Sequence, residues 1–274
     1  MRKSRFMGVL IGLIVSAPLL ANSSVPLEVK GPFTQGALHL GKTVAGAEVT
    51  LNGEAVEVTD NGYFVFGFGR KAELEHELSV SANGETRTKT IKLSEREYDI
   101  DRVDGVPQKT VTPDPEQVKR ARKEAEKVWL ARQKASKNKH FLTPVAKPAE
   151  GRISGVYGSQ RIFNGEPRNP HYGEDIAVPT GTPVKAPWTG KVVLAEPDLF
   201  YSGGTIIIEH GYKVNTTYLH LSKLHVETGD TVKQGEVIGE VGATGRATGP
   251  HLDWRVNWGN TRLDPALLPQ LYED

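Results

Sequence analysis

The sequence predicts a mainly β protein: an N-terminal β domain, a linker helix and a C-terminal all-β domain. Three observations predict it. Short runs of alternating apolar and polar residues, separated by turn dipeptides, fill residues 25–93. Helical spacing occurs once, after Asp114. From Gly151 onward the alternation returns with glycine-rich turns, and no long helical periodicity appears after residue 140.

Residues 1–21 stand apart from this pattern. Arg2, Lys3 and Arg5 give a basic start, Val9 to Val15 is apolar, and small residues such as Ala17 and Ala21 follow. This reads as a secretory signal peptide, with an uncleaved anchor as the rival reading. It predicts a place in the periplasm or cell envelope and no stable membrane span after cleavage. The chain of 274 residues has no cysteine, so it folds without disulfides, and a metal would need histidine and carboxylate ligands. A formal net charge of +1 gives no strong bias toward nucleic acid or a membrane surface.

Residues 25–93 take their strands from the turns. Val49-Thr50-Leu51 runs into Asn52-Gly53, and Val56 and Val58 follow. Asp60-Asn61-Gly62 is the next turn, before an alternating run from Tyr63 to Phe68. Leu78 to Ala82 turns at Asn83-Gly84 into Thr86 to Leu93. About six short strands at this spacing predict a small immunoglobulin-like β-sandwich. Its lone histidines, His39 and His76, read as structural or surface residues, and the module as a docking unit for an envelope partner.

Residues 94–140 read as linker and helix. Residues 94–113 are polar, with Pro107 and Pro113. Asp114 caps a helix with Pro115 at its first position. Val118, Ala121, Ala125, Val128 and Arg132 recur at helical spacing, and the helix is expected to end near Lys137-Asn138. Its narrow apolar stripe suits packing on the next domain, or an arm partly covering a groove there.

Residues 141–274 form the second β domain. Val184 and Ala186, Val192 to Ala195, Thr205 to Glu209, Asn215 to Leu219 and Val237 to Val241 read as strands. Tight glycine turns between them predict a barrel or a strongly bent sandwich.

The residues able to carry chemistry lie in this domain. Read as a strand, the run after Pro250 puts His251, Asp253, Arg255 and Asn257 on one face, and Leu252, Trp254, Val256 and Trp258 on the other. His171 and Asp175 follow a flexible segment, Asn164 to Pro170, and His220 ends a strand. Three segments that each bring an imidazole or carboxylate point to a hydrolytic metal site. Glu174, His210 and His225 are candidates by residue type alone.

Taken together these segments resemble the lysostaphin-like, LytM-type zinc endopeptidases. The resemblance spans about residues 150–265. It runs from His171-x-Gly-x-Asp175 through Pro179-x-Gly181-Thr182-Pro183-Val184 and Tyr218-x-His220-Leu221. It closes with Gly242-x-Thr244-Gly245-x-x-Thr248-Gly249-Pro250-His251-Leu252. It implies one zinc per chain held by His171 and Asp175, with His220 and His251 positioning the attacking water and stabilising the oxyanion. The family's third ligand is the last histidine of an H-x-H pair, and here Asp253 stands in its place. A second carboxylate ligand weakens Lewis acidity and opens the site to manganese or another oxygen-tolerant ion. The other reading of Asp253 is a salt bridge to Arg255, which as a surface pair adds little stability.

The resemblance therefore implies an exported zinc-dependent endopeptidase acting on peptidoglycan peptides. The alternative is an inactive relative that binds cell wall or activates an amidase. A swinging-arm carrier barrel is a third reading: the stretch from Thr182 to Val192 resembles biotinyl and lipoyl domains. Its Lys185, however, falls in a strand rather than a hairpin tip. No residue is assigned to substrate binding.

Overall fold

A computed structural model describes residues 25–105 and 111–273. The predicted signal peptide lies outside the described residues.

The N-terminal module is two antiparallel sheets. Glu28–Lys30, Leu38–Lys42 and Tyr63–Gly67 form one. Glu54–Val56, Glu48–Leu51, Glu75–Ala82 and Glu85–Lys92 form the other, in that order. Asn52-Gly53 and Asn83-Gly84 turn the hairpins with positive φ at both residues, 52° and 82° in the first and 52° and 79° in the second. That backbone matches the twist of the flanking strands, and asparagine and glycine reach it at least cost. Val49, Leu51, Phe64, Phe66, Leu78, Val80 and Ile91 fill the space between the sheets. Leu38 and Val65 point the other way and join the C-terminal core with Leu263, Leu268 and Leu271. The two modules thus share buried surface.

The stretch read as linker contains a strand. Ile100–Val103 pairs in parallel with Gln160–Phe163, setting Asp101 beside Arg161. The segment read as flexible is also ordered: Glu166–Pro167 folds back on Gln160–Phe163 around Asn164-Gly165. Both strands are too short to show alternation, so the pattern could not reveal them.

The helix spans Pro115–Gln133. Asp114 accepts from the Gln117 amide while the Gln117 side chain returns to the Asp114 amide, a complete capping box. The helix stops short of Lys137-Asn138 because Lys134 is extended and Ser136 is drawn to Glu209. The Ser136 amide and hydroxyl donate to the two Glu209 carboxylate oxygens at 3.0 and 2.8 Å. Val128 and Ala131 pack on Val193, Leu194 and Ile207, so the stripe docks on the second domain.

That domain is built on an eight-stranded antiparallel sheet. Its path runs Thr231–Val232, Gly190–Leu199, Gly203–Gly211, Val214–Leu221, Leu252–Trp258, Glu174–Ala177, Arg152–Gly155, with Thr261–Leu263 paired to Leu252–Trp258. A second, three-stranded sheet carries Pro183–Lys185, Val237–Glu240 and Lys223–Leu224. Ile206, Ile208, Tyr218, Leu252, Trp254 and Val256 line the core between them with Val184, Trp188 and Ile238. The strand at 252–258 faces inward as its alternation predicts. Its polar face is buried too, however: Asp253 and Asn257 are 0% exposed.

Candidate active site

The site is organised by one register. Glu174–Ala177 pairs antiparallel with Leu252–Trp258, and Asp175 lies directly opposite Asp253. Two carboxylates side by side on one face repel each other. Two guanidinium groups offset this. Arg161 donates from Nη2 to Asp175 Oδ2. Arg255 donates from Nε to Asp253 Oδ1 at 2.8 Å and from Nη2 to Oδ2 at 2.6 Å. The pair anticipated between Asp253 and Arg255 therefore forms, inside the protein and not on its surface. Burial raises the Asp253 carboxyl, and the Arg255 charge outweighs it and holds the group far below the usual carboxylate range. For Asp175, burial and Asp253 push upward, and His171 and Arg161 more than offset them.

Two glycines make room for these carboxylates. A Cβ on Gly173 would run into Asp253 Oδ1 and the Arg255 stem, and one on Gly155 would run into the Asp175 carboxylate. The glycine of the His171-x-Gly-x-Asp175 motif is thus the wall against which the second carboxylate, Asp253, packs.

His171 enters from the loop before this strand, fixed by its amide to Ser159 O at 2.9 Å and by its carbonyl from the Gly158 amide at 2.8 Å. Its Nε2 is 3.1 Å from Asp175 Oδ1. Both atoms are buried and neither has a hydrogen-bond partner. Buried polar atoms left bare are costly, and their convergence is what a cation would satisfy. Ligand atoms of His171, Asp175 and Asp253 all lie within 4.8 Å of one another. A carboxylate offers about four lone-pair sites, so Asp253 keeps acceptor capacity after receiving two bonds from Arg255. The imidazole and two carboxylates fit a divalent ion such as zinc or manganese.

The other two predicted residues stand beside this cluster. His220 and His251 have ring centroids 4.8 Å apart. His220 Nδ1 is 2.7 Å from the Thr244 carbonyl, and His251 Nδ1 is 2.9 Å from the Gly249 carbonyl. A carbonyl only accepts, so both Nδ1 atoms carry the proton and both Nε2 atoms keep a lone pair. His251 Nε2 lies 3.9 Å from Asp175 Oδ1. Burial lowers His220 to about 4, with the nearby Asp253 charge only partly opposing, so the ring is neutral at pH 7. His220 also sits at φ 64°, a left-handed conformation unusual for a side chain with a Cβ and common at functional sites.

The remaining candidates lie elsewhere. Glu174 points to the opposite face of its strand, with its carboxyl raised by burial. His210 is enclosed between Thr189 and Thr216 beside Trp188. His225 contacts Glu240 at 3.0 Å. His39 is buried among Phe33, Phe66 and Phe68, and His76 stacks on Phe68.

Sequence reasoning missed Arg161 and Arg246. Together they border two adjoining hollows of about 340 and 360 Å³. The first reaches Asp175 and His251, and the second reaches His220 and Asp253. Arg161 had no visible signal, because its importance comes from a strand pairing the sequence concealed.

Comparison with known proteins gives the family of the stretch that carries these residues. Residues 169–265 match Peptidase family M23. The peptidoglycan DD-endopeptidase ShyB of Vibrio cholerae is 44% identical over 95 residues, covering 35% of this chain and 22% of ShyB. Lysostaphin of Staphylococcus simulans is 44% identical over 86 residues, covering 31% of this chain and 17% of that protein. The matches thus span less than a quarter of these relatives' lengths. A crystal structure from Pseudomonas aeruginosa, assigned to peptidase M23, superposes with a TM-score of 0.67 at 29% identity, over 88% of this chain and 96% of that one. The stretch from residue 169 to residue 265, which holds all five predicted site residues, is a peptidase family M23 domain.

Proposed function

We propose that this protein is an exported, divalent-metal-dependent endopeptidase that cuts peptide bonds in peptidoglycan. The observation that carries the reading is the pair of bare, buried atoms, His171 Nε2 and Asp175 Oδ1, with Asp253 alongside. Zinc held there would supply Lewis-acid polarisation of a scissile carbonyl. The protein's own groups supply the rest. Arg161 and Arg255 hold the two carboxylates in place. The neutral Nε2 of His220 is a base able to take a proton during attack and return it to the leaving amine. His251, tied down at Nδ1, presents its Nε2 lone pair beside Asp175, where it can take up a proton and, as an imidazolium, donate to the developing oxyanion. The DD-endopeptidases and lysostaphin among the relatives support the substrate class. The signal-like N-terminus supports export.

The test is digestion of purified peptidoglycan by the metal-loaded chain, with released fragments identified by mass spectrometry. The expected result is new peptide termini with intact glycan strands, abolished by a chelator. One observation favours a second reading, a wall-binding or amidase-activating protein: Arg255 already occupies both oxygens of Asp253. Retention on pelleted peptidoglycan with no fragments released, at full metal loading, would select it.

A further inference from the structure

The strand Leu252–Trp258 carries a second polar constellation on the face that holds Asp253. Thr217 lies opposite Arg255, and Asn257 is flanked by Asn215 on one side and Arg262 on the other. The helix Pro115–Gln133 covers this face and brings in Arg132, which is 7% exposed. A cavity of about 180 Å³ lies between helix and sheet, lined by Arg132, Arg255, Arg262, Thr205, Thr217 and Glu124 among others.

The charges around this cavity do not balance. Arg255 is matched by Asp253. Glu124 is already engaged: one oxygen accepts from Arg120 Nε at 2.6 Å and the other from the Phe200 amide at 2.7 Å. Among the described residues Arg132 and Arg262 have no ion-pair partner, and Arg132 Nε, Arg262 Nη1 and Thr217 Oγ1 are buried without a hydrogen bond. An arginine stays protonated in proteins, so these are buried cations without a counter-charge. Burial, and then the charges of Arg262 and Arg255, push Arg132 well below its usual range. Burial and Arg255 likewise lower Arg262 to about 10.

We propose that this cavity is a binding site for a small tetrahedral oxyanion of the phosphate or sulfate type. Three guanidinium groups reach it from the helix and two strands, and the Thr217 hydroxyl adds a fourth donor. A planar carboxylate is satisfied by one bidentate guanidinium, whereas a tetrahedral anion offers oxygens in the several directions these donors occupy. Arg255 spends only Nε and one Nη2 hydrogen on Asp253, so it can serve both anions. The space under the helix suits a free ion, not phosphate carried on a polymer.

Inorganic phosphate is the probe. Thermal melts and calorimetry of the purified chain, against chloride at equal ionic strength, should show a saturable rise in Tm of several degrees and one phosphate bound per chain. Arg132→Met should melt no lower than the parent in phosphate-free buffer and should bind phosphate roughly tenfold more weakly or worse. Thr217→Val, a near-isosteric change, should weaken binding less and in the same direction. Equal responses to phosphate and chloride in the parent would overturn the proposal. So would parental phosphate affinity in Arg132→Met or, if that variant does not fold, in Thr217→Val.

Discussion

Asp253 and Arg255, two residues apart on one strand, form a bidentate pair with distances of 2.8 and 2.6 Å in which the carboxylate is wholly buried. In the metal-free protein this pair does what a third metal ligand cannot do alone: it keeps a buried negative charge compensated. Breaking such a pair by removing one partner costs about 3–5 kcal/mol. Arg255→Gln should therefore melt far lower than the parent in chelator. Added zinc should recover more Tm in the variant than in the parent, because there the ion replaces the positive charge that Asp253 has lost. Equal recovery would show that Asp253 does not meet the ion.

Asp253→His separates the two demands on this position. Imidazole supplies a nitrogen ligand and leaves Arg255 without its counter-charge. Competition with a chromophoric chelator should show tighter zinc binding in the variant. Melts in chelator should show lower stability. Asp253→Ala should lose both the metal and the stability.

His220→Ala should lower peptidoglycan cleavage by about 10²–10⁴-fold, the range of a lost general acid or base. Metal content by elemental mass spectrometry should stay at the parental level, since His220 lies outside the bare cluster. A drop in metal content would instead make it a ligand.

Gly173→Ala tests the wall behind the carboxylates. The new methyl group would meet Asp253 and the Arg255 stem. Overpacking of this kind costs about 1–3 kcal/mol. Chemical denaturation should show that loss, and zinc titration should show weakened binding although no ligand has changed.

Acid should destabilise the protein through His210. Burial lowers this histidine from 6.5 to about 4. Its neutral ring is satisfied at both nitrogens, donating from Nδ1 to Thr189 O at 2.9 Å and meeting Thr216 Oγ1 at 2.8 Å. Above pH 6.5 the contribution is fully present. As pH falls toward 4 the unfolded chain takes up a proton that the folded chain refuses, and about 3 kcal/mol is lost. His39 and His220, also lowered to about 4 by burial, add to the same slope, so urea melts from pH 7 to 4 should show a steeper loss than His210 alone gives, and His210→Asn should remove its share while the rest remains.

The sequence made the strands legible where hairpin turns bounded them. Asn52-Gly53 and Asn83-Gly84 dictate their own backbone. Alternation also placed Asp253 and Arg255 on one face, and the resemblance brought His171, Asp175, His220 and His251 together. Alternation cannot say what covers a polar face, and so the alternative to a ligand role for Asp253 reads as a surface pair with Arg255. The helix that buries that face is legible as a helix, but its docking against Ile207 and Val193 depends on tertiary contacts. Ile100–Val103 was hidden for a similar reason. A four-residue strand with its two apolar residues at its ends has too little alternation to stand out, and only Gln160–Phe163 gives it a place.

Leu38 and Val65, facing out of the sandwich and into the peptidase core, turn the N-terminal module from a tethered appendage into a rigid handle. Gly67 packs so closely on Leu263 that an added methyl group would force the Leu263 side chain to shift. Whatever surface grips the sandwich would also set the height and heading of the groove. Reach would then be a property of the architecture, and a longer linker between the modules would not extend it.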